Sequence, residues 1–305
     1  MTVDGILLEI ESLKNRAEAE AEEKKAVFLK EQPALTELME KRRTLLLEML
    51  KERTFGRDTS GTDKEIAEIS AQIENEFGDW ESRFAPQYSC PICSDTGHDT
   101  RDGKKVMCTC LLERVYKQIY GGADIKSLKG SFEEFDANVF SDEEQIKRMT
   151  AVKRIAESAC DYATHDYFTV LGKSGLGKSY LLACMAKKLK SLGKNVLYID
   201  AYRLFDAFHK HRLGTLETVA PIYEADALFI DDLGTEPMTK NITCECLFSL
   251  LTERAQHHRL TAIASNLTTE QLMERYTEKV GSRLFSPGLG TLIRVSGNDL
   301  RLGGR

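Results

Sequence analysis

What this sequence lacks narrows it first. No apolar run approaches the roughly 20 residues needed to span a bilayer, which excludes a helical membrane protein. The opening residues, MTVDGILLEIESLKNRAEAE, are acidic and amphipathic. They lack the basic start and small-residue cleavage site of a signal peptide, so a cytoplasmic protein is expected. An excess of positive charge is missing as well. A net charge of −6 argues against coating duplex DNA through bulk charge, while leaving room for local basic patches. There is no internal repeat and no low-complexity tract. With 305 residues, 42% hydrophobic and 30% charged, the chain has ordinary globular composition and enough length for one full domain plus a smaller unit.

The first half reads as helical. Over residues 4–52, Leu35, Leu38, Leu45 and Met49 recur at helical spacing, and Pro33 should break or kink the pattern. Residues 55–61 form a turn. Thr62 and Glu65 have the spacing of a capping box that would start a second helix, with Ile66, Ile69, Ile73 and Phe77 on one face. Two such helices would pair as an antiparallel hairpin, either a structural stalk or a docking surface. After a Gly- and Lys-containing joint at 121–130, Ser141 and Glu144 should cap another helix running to about Tyr162. From Tyr167 onward, short apolar strands alternate with helices. The strand candidates are 167–171, 195–199, 227–231, 261–265 and 291–295. This alternation predicts an α/β fold with a five-stranded parallel sheet covered by helices.

The strongest motif lies between the first strand and its helix. Gly172, Lys173, Ser174, Gly175, Leu176, Gly177, Lys178 and Ser179 match G-x-x-x-x-G-K-[ST] in full. Such glycines let the backbone wrap phosphates, and the following helix presents its positive end to them. Lys178 would reach the β- and γ-phosphates of ATP, and Ser179 would offer its hydroxyl to Mg2+. Tyr180, the next residue, completes the candidate nucleotide-contacting set. Downstream, Ala227 to Ile230 form an apolar strand that ends in Asp231 and Asp232. That pattern suits a buried strand with carboxylates at the nucleotide edge. Asp231 would hold the Mg2+, directly or through water, and Asp232 would orient the attacking water. An unrelated Gly-rich turn and an acidic strand end are the plainer readings of each element alone; their combination favours a P-loop ATPase.

Eight cysteines are present, four of them clustered at Cys90, Cys93, Cys108 and Cys110. Two close pairs across a polar, Gly-containing loop can close a tetrahedral zinc site, with an iron–sulfur cluster as the alternative for the same ligands. His98 could substitute for a cysteine, but four thiolates already complete a site. Zn2+ here would be structural, since so short a segment has little core of its own. The cysteines at 160, 184, 244 and 246 lie in apolar or helical contexts and read as packing.

From about Cys90 to Arg301 the chain resembles the bacterial replicative-helicase loaders of the DnaC type, within the AAA+ ATPases. The resemblance rests on motifs in order: the P-loop, Asp231-Asp232-Leu-Gly, Ala264-Ser265-Asn266-Leu267, Glu274-Arg275-Tyr276, Gly281-Ser282-Arg283-Leu284 and Gly297-Asn298-Asp299-Leu300-Arg301. It implies that Asn266 is a sensor positioning water, and that Arg283 is an arginine finger reaching a neighbour's nucleotide in a self-associated assembly. The alternative for Arg283 is a surface salt bridge. It implies that Arg301 is similar to a second sensor, although the ten residues after Val295 leave no separate helical lid. The cysteine segment resembles the zinc-binding N-terminal region of these loaders. Asp232 stands where many AAA+ proteins carry glutamate, and its shorter side chain implies slow hydrolysis.

The expected organisation is a helical region over 1–87, a zinc-binding module over 88–120, a linker over 121–140 and an AAA+ ATPase domain over 141–305. The segment Ala201–Arg212 mixes Tyr202, Phe205 and Phe208 with basic residues, which suits contact with single-stranded DNA or, equally, a core helix with a wet face. The expected function is ATP-dependent loading of a hexameric replicative helicase onto single-stranded DNA. A transposition-helper ATPase, a nucleotide-gated helicase-binding adaptor or inhibitor, and a small-molecule P-loop kinase are the competing readings. The last would need a phosphate-closing lid, and no sequence for one is found.

Overall fold

The structure, a computed structural model, describes residues 2–297 except Asp102, Ser141, residues 163–165, Asn241, Ser286, Pro287 and Leu289. It forms two compact units, Leu7–Val106 and Met1–Ile6 with Met107–Arg305.

The first unit holds α1 (Val3–Glu31) from Leu7 onward, and α2 (Pro33–Thr54), separated from it at Gln32. Pro33 stands at the start of α2, where its missing N–H would be unpaired in any case. α3 (Ser60–Phe77) returns along α2, so the expected hairpin forms. Leu35, Ile69, Ile73 and Trp80 are its buried centre, with Phe28 and Phe84 packed against the indole. The capping box at Thr62 and Glu65 is corrected: α3 begins at Ser60. The carboxylate of Asp58 accepts the Ser60 N–H at 3.0 Å and its hydroxyl at 2.9 Å, which holds the first helical residue two positions ahead of Thr62. Beyond the helices, β1 (His98–Arg101) and β2 (Lys104–Met107) form a small hairpin between the two cysteine pairs. Their polar residues carry no strand pattern in the sequence.

The second unit opens with α4 (Thr109–Gln118), and α5 (Glu143–Tyr162) follows. Ser141, expected to cap α5, lies outside the described residues; the Asp142 carboxylate accepts the Gln145 N–H at 2.9 Å. Then come β3 (Tyr167–Leu171), α6 (Lys178–Ser191), β4 (Val196–Asp200), α7 (Ala201–Arg212), α8 (Ala220–Glu224) and β5 (Ala227–Leu233). α9 (Thr243–Gln256), β6 (Leu260–Ser265), α10 (Thr269–Phe285) and β7 (Gly290–Arg294) complete it. All five strand candidates appear, with ends moved by one or two residues. They pair in the order β4-β5-β6-β3-β7, every pair parallel. The strands β3, β4, β5 and β6 are buried nearly throughout, which is why they read as largely apolar runs, whereas the outer strand β7 is only part-buried. Phe168 and Val170 face a core containing Ala156, Leu181 and Met185, while the Tyr167 hydroxyl donates to the Leu251 carbonyl of α9 at 2.8 Å. The outer strand β4 is flanked by the chain itself. The N–H of Ala123 donates to the Tyr198 carbonyl at 2.7 Å, and Gly122 fits there because a Cβ would press on Leu197 and two carbonyls.

In this register Leu171 stands opposite Ser265, and Asp200 opposite Asp231. The carboxyl ends of β3, β5 and β6 therefore open on one crevice, the usual ligand position in an open parallel sheet. Pairing of β5 with β6 slips between Ile230 and Leu233, and Asp232 there takes φ +53. A bulge of this kind re-aims side chains beside a site. Among the described residues, no helix follows β7.

Candidate nucleotide site

The chain leaves β3 through Gly172, where any Cβ would run into the carbonyl of Val295 just past β7. It enters α6 through Gly177 at φ +81, a left-handed cap that glycine adopts freely. Between them lies a cavity of about 630 Å³, lined by Ser174, Gly175, Gly177, Lys178, Ser179 and Asn266 together with Asp232. Lys173 is exposed and contributes its carbonyl. Leu176 points its side chain into the core, so only its backbone is available to a ligand. Tyr180 and Lys129 also line the cavity. The Tyr180 ring packs on Phe135, and Gly130 lies so close to it that a Cβ there would overlap the ring.

Lys178 is buried at the floor. Its ammonium donates to the Lys173 carbonyl and to Asn266 Oδ1, both at 2.7 Å. The first residue after β6 therefore meets the P-loop lysine. The Ser179 hydroxyl donates to Asp231 Oδ1 at 2.9 Å, and the Tyr198 hydroxyl of β4 donates to Asp231 Oδ2 at 2.8 Å. Burial pushes the pKa of Asp231 above the usual carboxylate value, against the opposing pull of the hydrogen bonds from Tyr198 and Ser179. The Tyr198 phenol is raised too, first by burial and then by the Asp231 charge. A hydroxyl and a carboxylate oxygen side by side are hard donors, and they fit a magnesium ion. Asp232, exposed beside them, borders the same cavity.

Sequence reasoning missed Tyr198. Its only signal was a polar-tipped aromatic one residue ahead of a strand's last apolar position, and that signal gains meaning only from the register placing Asp200 opposite Asp231. Arg283 lies elsewhere. It is half-buried near the far end of α10, its guanidinium 5.9 Å from the Phe248 ring, and its charge bears on Tyr167 at the amino end of β3. It is thus at the opposite end of β3 from its own P-loop. Arg301, with residues 298–300 of the same motif, lies outside the described residues.

Residues 111–281, more than half of the chain, match the family model of the IstB-like ATP binding proteins. The chain belongs to that family. Among curated proteins it is similar to the chromosomal replication initiator protein DnaA of Mesoplasma florum, 27% identical over 41% of this chain and 29% of that protein. It is also similar to the replicative helicase loader DnaI of Bacillus subtilis, 27% identical over 35% of each chain. The chain thus spans only about a third of the length of these curated relatives. A crystal structure of DnaI aligns with a TM-score of 0.45 and 23% identity, covering 59% of this chain and 94% of that one. A crystal structure of the DnaC helicase loader aligns with a TM-score of 0.44 and 16% identity, covering 54% and 96%.

This IstB-like chain adds a thiol cluster. The sulfurs of Cys90, Cys93, Cys108 and Cys110 all lie within 4.8 Å of one another. Four thiolates about 2.3 Å from a tetrahedral zinc would stand about 3.8 Å apart, so the set fits with little adjustment. The carboxylate of buried Asp95 accepts the N–H groups of Ser89 at 2.7 Å and Cys90 at 2.8 Å, which fixes the first turn. Cys108 stands at the N-cap position of α4. In α7, Leu204, Phe205 and Phe208 are buried, which removes both phenylalanines from any base-stacking surface. Tyr202 and the run His209 to Arg212 remain exposed. No helix among the described residues is long and apolar enough to cross a membrane.

Proposed function

We propose that this IstB-like protein is a cytoplasmic Mg-dependent ATPase that loads a hexameric replicative helicase onto single-stranded DNA. The observation that carries this reading is the division of charge. Lys178, Ser179, Asp231, Asp232 and Asn266 converge on one cavity, while Arg283 stands at the other end of β3. Such a site gains its last cation from a second copy, as an assembly on a ring-shaped partner would supply.

ATP would lay its phosphates along Gly172 to Ser179, with Tyr180 beside the bound nucleotide. Lys178 would turn from the Lys173 carbonyl to the β- and γ-phosphates. Asn266 and Asp232 would hold the attacking water; its oxygen bonds to the γ-phosphorus, the bond to the β-phosphate oxygen breaks, and Asp232 takes the proton. Ser179 and Asp231 would hold the magnesium ion, which supplies charge neutralisation at the phosphates. Tyr198 keeps the Asp231 carboxylate aimed. Arg283 of a neighbouring copy would stabilise charge in the transition state. Arg301 would act as a sensor of bound nucleotide.

Residues 1–87 and the zinc module over 88–120 would grip the helicase, with 121–140 joining them to the ATPase domain over 141–305. The exposed basic end of α7 would touch the single strand. Zinc analysis of the purified protein should find about one ion per chain, lost on Cys90→Ser with Cys93→Ser; iron or no metal would overturn that assignment. A second reading is a transposition-helper ATPase, which would use the same ATP-binding core. A helicase-binding adaptor or inhibitor is the other alternative. Affinity capture from a bacterial lysate with ATP, against a Lys178→Ala control, separates them. Recovery of the replicative helicase supports loading, and recovery of a transposase supports the second reading. Helicase binding without hydrolysis supports the adaptor.

A further inference from the structure

The loop that leaves β5 bends sharply. Asp232 takes φ +53 and Gly234 takes φ +109, with Leu267 pressed against the glycine. Two residues on, Glu236 turns its side chain inward and is 1% exposed. Its Oε2 accepts the N–H of Gly234 at 2.9 Å and closes the loop on itself. Its Oε1 accepts the hydroxyl of Tyr276 and stands 3.6 Å from the Arg275 guanidinium. Arg275 also donates to the backbone carbonyl of Glu236. Both partners belong to α10. The residue after them, Thr277, takes φ +79 and ψ 157 in the middle of that helix. A β-branched residue enters this region only where its surroundings hold it. One buried carboxylate thus joins two bent backbones. One bend carries Asp232; past the other, α10 runs on to Arg283.

We propose that Glu236 is a positioning residue for nucleotide hydrolysis: it ties the Asp232 loop to α10, so that one contact sets Asp232 in its own site and Arg283 for a neighbour's. This rests on the ATPase reading above. A shift of the loop on nucleotide binding must draw Gly234 and the Glu236 carboxylate with it. The pull falls on Arg275 and Tyr276, one residue before the break at Thr277. The segment 278–285 then moves as a lever about that break. The buried charge makes the tie stiff, because separating the carboxylate from its phenol and guanidinium would leave it unpaired in the interior.

The test uses the full chain and two variants, Glu236→Gln and Tyr276→Phe. ATP affinity should stay within about twofold of the parent, since neither residue touches the cavity. Turnover should fall roughly tenfold with KM little changed, the size expected for losing a hydrogen bond to a charged group. Hydrogen exchange supplies a readout that needs only nucleotide binding. In the parent, a non-hydrolysable ATP analogue should change exchange in residues 278–285; in both variants that change should vanish while the analogue still binds. Parental turnover in both variants, or a retained exchange response, overturns the proposal, as does a parent whose 278–285 segment ignores bound analogue. A turnover defect that disappears on cooling, where folding is complete, assigns Glu236 to stability alone and also overturns it. Should Glu236→Gln fail to fold, the milder Tyr276→Phe decides. A parent that binds the analogue but never hydrolyses ATP defeats the ATPase reading instead, and the exchange experiment still judges the tie.

Discussion

At the carboxyl end of the central sheet, buried Lys178 donates to a P-loop carbonyl and to the side-chain amide of Asn266. At the amino end, fully buried Arg254 donates to five oxygens: the carbonyls of Ile222, Tyr223, Ala225 and Leu260, and the Thr261 hydroxyl. The acceptors of Lys178 sit on loops and can be exchanged for a ligand's oxygens. Those of Arg254 are the last carbonyls of the short helix α8 and the first residues of β6, which have no other geometry to offer. Burial lowers the Arg254 pKa to about 9, still above neutrality, so the group remains a cation. Two buried positive charges in one domain therefore differ in their surroundings: loop acceptors beside a cavity for Lys178, helix-end and strand-start oxygens for Arg254. Arg283 is a third case, half-buried over an aromatic ring.

The sharpest way to break this contrast is Arg283→Ala. If the residue acts on a neighbour, the variant should bind ATP normally and lose about 10³–10⁵ in rate, less if the parent is slow. Mixed with Lys178→Ala on DNA or helicase, it should recover activity above the sum of the two alone; a merely additive mixture would place Arg283 outside catalysis. Next in size, Lys178→Ala should lose about 10²–10³ in hydrolysis, as for removal of a transition-state donor, with little change in melting temperature. A large drop in stability would mean its acceptors are structural after all. Arg254→Leu should do the reverse. It should cost about 3–5 kcal/mol in denaturant unfolding, because the carbonyls around it lose their partner, and leave ATP affinity of the folded fraction unchanged. The smallest effect belongs to Tyr198→Phe, which removes one of the hydrogen bonds on Asp231. Turnover should fall roughly tenfold at saturating magnesium, and unchanged turnover would reduce Tyr198 to packing.

Much of this was legible beforehand because the physics was local. The strand candidates at 167–171 and 227–231 announce themselves as apolar runs, and the loop from Gly172 to Ser179 needs its glycines at fixed spacing. Asn266 was singled out only through the family resemblance, and its contact with Lys178 appears in the structure alone. What stayed hidden depends on contacts distant in the chain. Arg254 reads as an ordinary helix charge until α8 closes over it, and Glu236 as a loop acid until Tyr276 arrives forty residues later. The start of α3 was misplaced because Asp58 outcompeted a better-known pattern. The α7 aromatics kept two meanings in sequence, and burial of Phe205 and Phe208 resolved them towards packing.

The strip of chain at Gly122 and Ala123 that lies against β4 has one more consequence. An uncovered outer strand offers a ladder of open backbone groups on which another chain can zip, and on this one the Tyr198 carbonyl is already taken by the Ala123 N–H. The strip of chain there stands in the way of growth of the sheet on that flank. A second copy approaching that flank would find side chains of helices and loops there rather than an open backbone ladder.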